Sequence, residues 1–222
     1  NPTWDVTDIA AAAALAHSVG AKLDIDSTVE TPLWTRPIEV GADYVMHSAT
    51  KYLNGHSDVV AGALAAAAED ELWGKARESR SLDGAILGPF EAWLVLRGTR
   101  TMHLRVQQFC ASAIYIASQF SAYPKIERVL YPGLANHPGH EIAKRQMRGR
   151  YGGTMSIKVA GGRDVALRVA KAVRLFIPAT SKACWNIAQP LKRLTVRFLI
   201  IVCASVSVSK MSAILLQTSN RH

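Results

Sequence analysis

Lys51 stands in the run Ser48-Ala-Thr-Lys-Tyr-Leu-Asn-Gly55, directly after the apolar stretch at 44–47. A lysine held in a dry, cationic pocket loses part of its proton affinity, and its free amine can then form a Schiff base with an aldehyde cofactor. Hydroxyls one and three residues before it, on Thr50 and Ser48, can hold that cofactor's phosphate. Asp26 supplies a second group. It ends the short stretch Lys22–Asp26, 25 residues before Lys51, and a carboxylate set against a pyridine nitrogen keeps that nitrogen protonated. Taken alone, Ser-x-Thr-Lys is equally the pattern of an ordinary surface loop, and Asp26 that of a loop-start aspartate. His47 and His56 read as a packed histidine and a loop hydrogen-bonder.

The elements that must position these groups follow from propensity and punctuation. Thr7 to Val19 reads as a helix: Ala10–Ala14 favour it, Thr7 is placed to cap it, Asp8 suits its first turn and Gly20 can end it. Residues 22–26 and 44–47 read as short strands, and no second helix is expected before Pro37. Parallel strands ending at one edge would bring Asp26 and Lys51 to a common crevice. Residues 59–66 fit a strand or a buried helix equally well. Helices are predicted over 70–80, from Pro89 to 96, over 100–120, 140–148 and 163–175, and strands over 128–131 and 154–159. Helices alternating with short strands indicate an α/β layered domain.

The chain has 222 residues, 49% of them hydrophobic and 19% charged, enough for a sizeable core and unlike a disordered chain or a coiled coil. Its 26 Lys and Arg against 17 Asp and Glu leave a charge of +9. All of that excess lies beyond Asp164, where nine cations and no acid follow. A neutral body with a basic tail argues against nucleic acid as a partner. Cys110, Cys184 and Cys203 are too few and too scattered for a disulfide framework or a zinc site, and no metal site is expected. The apolar stretch 198–216, broken by Lys210 and several serines, is marginal for a membrane span, and no membrane partner is expected. There is no signal peptide pattern, and a start at Asn1 rather than Met suggests a fragment.

The run Ser48-Ala-Thr-Lys-Tyr-Leu-Asn-Gly-His-Ser-Asp58 resembles the pyridoxal-phosphate attachment motif of the trans-sulfuration enzymes of cysteine and methionine metabolism. Asn1-Pro-Thr, Asp8-Ile9, Asp26-Ser-Thr-Val-Glu-Thr-Pro32, Gly41-Ala-Asp43, Pro89-Phe-Glu-Ala-Trp-Leu94, Arg97-Gly98, Tyr131-Pro-Gly-Leu134, His137-Pro138 and Gly152-Gly153 fall in the same order, so that the likeness covers about 1–181. The resemblance implies the α/β fold of the pyridoxal-phosphate-dependent transferases. Residues 1–120 would be the second half of the cofactor-binding large domain, with a mixed sheet flanked by helices. Residues 121–181 would open a smaller α+β C-terminal domain, and 182–222 would be a divergent basic tail.

By the same resemblance Lys51 is the Schiff-base lysine and proton shuttle, and Asp26 pairs with the ring nitrogen. Asn1 reaches the ring's 3′-oxygen, Ser48 and Thr50 bind the phosphate, and Ser181 lies near the substrate carboxylate. The implied cofactor is pyridoxal 5′-phosphate. The implied reaction is γ-elimination or γ-replacement at a sulfur amino acid or activated homoserine. A cytoplasmic homodimer or homotetramer is the implied setting, with the Trp93–Arg97 region near the subunit interface; by residue type alone Trp93 reads as packing and Arg97 as half of a buried ion pair.

Three departures stand against it. Family chains are nearly twice as long and carry a Gly-rich phosphate loop, a ring-stacking tyrosine and a Tyr/Arg pair in an N-terminal part absent here. Lys182-Ala-Cys-Trp185 replaces the expected Leu-Gly-Gly after Ser181. Asp24 takes a usually apolar strand position two residues from Asp26, so both carboxylates share a face and one pKa should rise. A catalytically inactive cofactor-binding chain, or a poorly folded fragment or pseudogene product, is therefore the alternative reading.

Overall fold

The computed structural model describes residues 3–173 and 199–203. The chain opens with α1 (Ile9–Ser18), carried by its alanines. The cap is Asp8 rather than Thr7: its carboxylate accepts from the Ala11 amide at 3.2 Å, while Thr7 lies one residue outside the turn it would have to serve. Such a cap contributes about 1 kcal/mol.

Two parallel strands follow. In β1 (Asp24–Asp26) and β2 (Tyr44–Ser48) the register pairs Asp24 with Tyr44 and Asp26 with Met46. The uncertain stretch 59–66 resolves as β3 (Gly62–Ala66), antiparallel to β2 with Ser48 opposite Gly62. The result is a mixed three-stranded sheet in the order β1-β2-β3. Between β1 and β2 the expectation of no helix is corrected. A single turn, α2 (Thr31–Trp34), forms with Pro32 in its first positions, and Pro37–Val40 is a 3-10 turn. Proline's fixed φ suits the start of a helical turn, where its missing N–H costs no bond.

Three helices come next: α3 (Glu71–Leu82), capped by Asp70, α4 (Pro89–Thr99) and α5 (Met102–Ser121). A second sheet joins β4 (Ile126–Leu130) antiparallel to β5 (Thr154–Val159), which runs parallel to β6 (Leu199–Cys203). Helices α6 (His140–Gln146) and α7 (Gly162–Ala172) complete the order. Ala113 and Ala117 of α5, both without exposed surface, pack with Val129, Tyr131, Met155, Ile157 and Ala166 into the main core. Small residues on α5 let the helix lie close to the sheet, which α7 also covers.

Polar ties join the first segments to the second sheet and to α6. Trp4 Nε1 donates to Ser156 Oγ at 2.8 Å, Arg145 pairs with Asp8, and Gln146 Nε2 donates to the Thr7 carbonyl at 2.9 Å. The outer face of α4 is uncovered. Phe90, Trp93 and Leu96 are 64%, 51% and 60% exposed, with Phe90 stacked on Trp93. The expected burial of the Arg97 ion pair is corrected accordingly: Arg97 meets Asp58 at 3.6 Å with half of its side chain in solvent. No helix among the described residues is long and apolar enough to cross a membrane. Most of 198–216 lies outside those residues.

Candidate active site

Asp26 is the last residue of β1 and Ser48 the last of β2, and the strands are parallel. The C-terminal ends of both strands therefore lie at one edge of the sheet, where open α/β sheets place their ligands. Lys51 follows three residues later in a tight turn. Its amide donates to the Ser48 carbonyl at 3.0 Å, the Asn54 amide donates to Ala49 O at 3.0 Å, and the Gly55 amide donates to Lys51 O at 2.6 Å. The expected gathering of Asp26 and the Lys51 segment at a common edge is what the register produces.

Thr28 joins them, and the motif reading missed it. Its hydroxyl donates to Asp26 Oδ1 and accepts the Ser48 amide at 2.8 Å, and its own amide donates to Asp26 Oδ1 at 3.0 Å. Thr28 is 4% exposed. Two bonds thus hold one carboxylate oxygen, and among the described residues none reaches Oδ2. The signal was available in sequence: an Asp followed two residues later by a hydroxyl is an Asx-type turn, whose side chain bonds its own backbone.

His47 is buried on β2. Burial lowers its pKa, and the opposing influence of the Asp26 charge and the Ser27 backbone does not restore it, so the ring is held neutral. Its Nδ1 and the buried Ser27 hydroxyl have no hydrogen-bond partner among the described residues. Of the Asp24–Asp26 pair, Asp24 carries a raised pKa. Partial desolvation is the main cause, the Ile25 amide works against it, and Asp26's charge adds a smaller push.

The two expected phosphate hydroxyls differ. Ser48 Oγ makes no hydrogen bond among the described residues. Thr50 Oγ1 accepts the Ala61 amide at 2.8 Å and donates to the Ala61 carbonyl at 3.2 Å. It ties the Lys51 turn to the approach to β3. Asn1 and Ser181 lie outside the described residues. His56 Nδ1 faces the Asn54 carbonyl at 2.6 Å, and Cys110 is a buried free thiol, both as the residue types suggested.

The donor set fits a phosphorylated pyridine aldehyde: an amine in a fixed turn, a carboxylate with one uncommitted oxygen, an unspent hydroxyl, and orphaned polar atoms beside them. A carboxylate with a single free oxygen can keep a ring nitrogen protonated. A lysine at the mouth of the same edge can bond an aldehyde and move protons.

Comparison with known proteins agrees. The family model described as Cys/Met metabolism PLP-dependent enzyme matches residues 1–192, beyond the 1–181 over which the motifs were recognised. Cystathionine gamma-lyase of Dictyostelium discoideum is 45% identical over 181 residues, covering 82% of this chain and 46% of that protein. Cystathionine gamma-synthase of Mycobacterium bovis is 43% identical over 181 residues, with the same shares of each chain. Cystathionine gamma synthase from Xanthomonas oryzae pv. oryzae, solved with aminoacrylate and cysteine, superposes with a TM-score of 0.76 at 38% identity, over 82% of this chain and 46% of that one. The chain spans about half the length of the curated relatives it matches.

Proposed function

Because the chain belongs to the Cys/Met metabolism pyridoxal-phosphate-dependent enzymes, we propose that it carries the lysine-bearing half of a trans-sulfuration active site. The whole protein would perform γ-elimination or γ-replacement on a sulfur amino acid or activated homoserine. The observation that carries this reading is the shared edge of β1 and β2, with Thr28 bonded both to Asp26 and to Ser48.

Pyridoxal phosphate, when bound, supplies an electron sink for the charge left at the substrate Cα. Lys51 Nζ would hold the cofactor through its aldehyde, and its amine, when free, would take the substrate Cα proton and deliver protons along the substrate chain. Asp26 Oδ2 would keep the ring nitrogen protonated, with Thr28 fixing that carboxylate. Ser48 would donate to the phosphate, and Thr50 would do so by turning its hydrogen away from the Ala61 carbonyl. Asn1 would serve the ring's 3′-oxygen and Ser181 the substrate carboxylate.

In this reading residues 1–120 belong to the cofactor-carrying unit, 121–181 open the small domain and 182–222 form a divergent tail. The protein works in the cytoplasm as a homodimer or homotetramer. Exposed Phe90, Trp93 and Leu96 on α4 support an assembly that covers them.

A second reading is an inactive cofactor-binding or poorly folded chain. One assay separates the two. The protein is saturated with pyridoxal phosphate and given cystathionine, or an activated homoserine with cysteine. Keto acid, thiol and cystathionine are then followed beside Lys51→Ala. Turnover that needs Lys51 supports the enzyme. Cofactor bound through Lys51 without turnover supports the inactive reading.

A further inference from the structure

Arg105 sits in the first turns of α5, far along the chain from the Lys51 turn, yet its guanidinium is built into that turn. Nη1 donates to the Tyr52 carbonyl at 3.0 Å, and Nη2 to the Leu53 carbonyl at 3.3 Å and the Gly98 carbonyl at 2.8 Å. Nε donates to Thr101 Oγ1 at 3.2 Å. The carbonyls of Tyr52 and Leu53 belong to the two residues directly after Lys51. They close a tight turn, where backbone oxygens have no onward helix to receive donors. A planar cation with a rigid fork can serve several such oxygens at once, which an ammonium on a flexible stem cannot.

The fit around the fork is close. A Cβ on Gly55 would overlap the Arg105 guanidinium, and a Cβ on Gly98 would overlap the Asn54 carbonyl oxygen. The turn is seated on the α4–α5 elbow with Arg105 as the pin. On its other side Asn54, fully buried, donates from Nδ2 to Asp58 Oδ1 at 2.7 Å. Lys51 is thus placed by two parts of the chain. β2 delivers it to the sheet edge, and Arg105 fixes the carbonyls that follow it.

We propose that Arg105 is a positioning residue for Lys51: its guanidinium clamps the carbonyls of Tyr52, Leu53 and Gly98 and so sets where the Lys51 amine stands. This rests on the reading of Lys51 as the cofactor-bonding lysine. The clamp itself is a property of the turn and can be read without cofactor.

The test uses the full chain as Arg105→Lys and Arg105→Met, with two readouts. Without cofactor, amide hydrogen exchange is measured at Asn54 and Gly55, whose N–H groups close the turn. With pyridoxal phosphate, borohydride labelling of Lys51 is followed against pH. The clamp predicts that exchange at Asn54 and Gly55 in Arg105→Met rises about tenfold while the second half of α5 keeps its protection. It also predicts that the pH midpoint of Lys51 labelling moves, with Arg105→Lys between Met and the native chain. Unchanged exchange and an unchanged midpoint in folded Arg105→Met would overturn the proposal. If Arg105→Met fails to fold, Arg105→Lys decides: native exchange at 54 and 55 overturns the clamp, and faster exchange confined to the turn supports it. A native chain that never labels at Lys51 defeats the functional reading, while the exchange measurement still decides the clamp.

Discussion

The Thr28 hydroxyl accepts the Ser48 amide at 2.8 Å. That bond ties the loop after β1 to the last residue of β2, and the same hydroxyl donates onward to Asp26 Oδ1. A single buried oxygen thereby sets the carboxylate of one strand against the turn that follows the other. Main-chain pairing aligns the two strands, but this side chain aligns what they deliver.

Thr28→Val keeps the shape and removes the relay. It leaves the Ser48 amide without its partner and removes one of the two bonds to Asp26 Oδ1, the Thr28 amide keeping the other, a loss of roughly 1–3 kcal/mol for buried groups. Urea unfolding should show that loss, and Thr28→Ser should recover most of it. Cofactor affinity should fall with Thr28→Val as well, since only the residue-28 amide then holds the Asp26 carboxylate.

Glu30 gives a pH dependence. Burial pushes its carboxyl up to about 7, the amide of its own residue works the other way, and the Asp26 charge adds to the rise. The folded chain then holds a proton that the unfolded chain, with an ordinary value of 4.5, has released. Stability should therefore fall as pH rises from about 4.5 to about 7, and stay lower above that. Glu30→Gln should flatten the fall and leave the chain more stable than native at pH 8. The gain should lie below roughly 3 kcal/mol, because the residue keeps some exposed surface. Thermal melts at pH 5 and pH 8 check the sign.

Gly98→Ala tests the seating of the Lys51 turn. The added Cβ would overlap the Asn54 carbonyl oxygen and stand 2.8 Å from its Cα, so backbone must move. A destabilisation of about 1–3 kcal/mol is expected from such overpacking. Exchange at the Asn54 and Gly55 amides should rise with it. Gly74→Ala on α3, where a Cβ meets nothing within 4 Å, is the matched control.

Sequence patterning located most elements because their signals are local. Alanines and a capping acid mark α1, and the alternation at 154–159 gives β5 with its observed bounds. The short turn at Thr31–Trp34 escaped because its four residues carry no helical periodicity, with Pro32 in the first positions. Asp26 and Lys51 could be named from residue type and motif. Thr28 and Arg105 lie outside the motif and differ in how legible they are. Thr28's bond to Asp26 is local, and the Asp-x-hydroxyl spacing records it. Arg105 acts across 52 and 53 residues of separation on the carbonyls of Leu53 and Tyr52, and no local pattern records such a contact. That Phe90, Trp93 and Leu96 of α4 stand exposed is likewise not local information, since apolarity does not say which surface covers a helix face.

The central claim is that Lys51 bonds the cofactor at an edge shared with Asp26. Its most direct test is the visible spectrum of the protein with pyridoxal phosphate, followed by borohydride reduction and peptide mapping, beside Lys51→Ala and Asp26→Asn. An absorbance band and a pyridoxyl group mapped to Lys51 are expected. Both should be lost in Lys51→Ala, and the band should be shifted in Asp26→Asn. A folded protein that shows no band, or a label spread over other lysines and unaffected by Lys51→Ala, would contradict it.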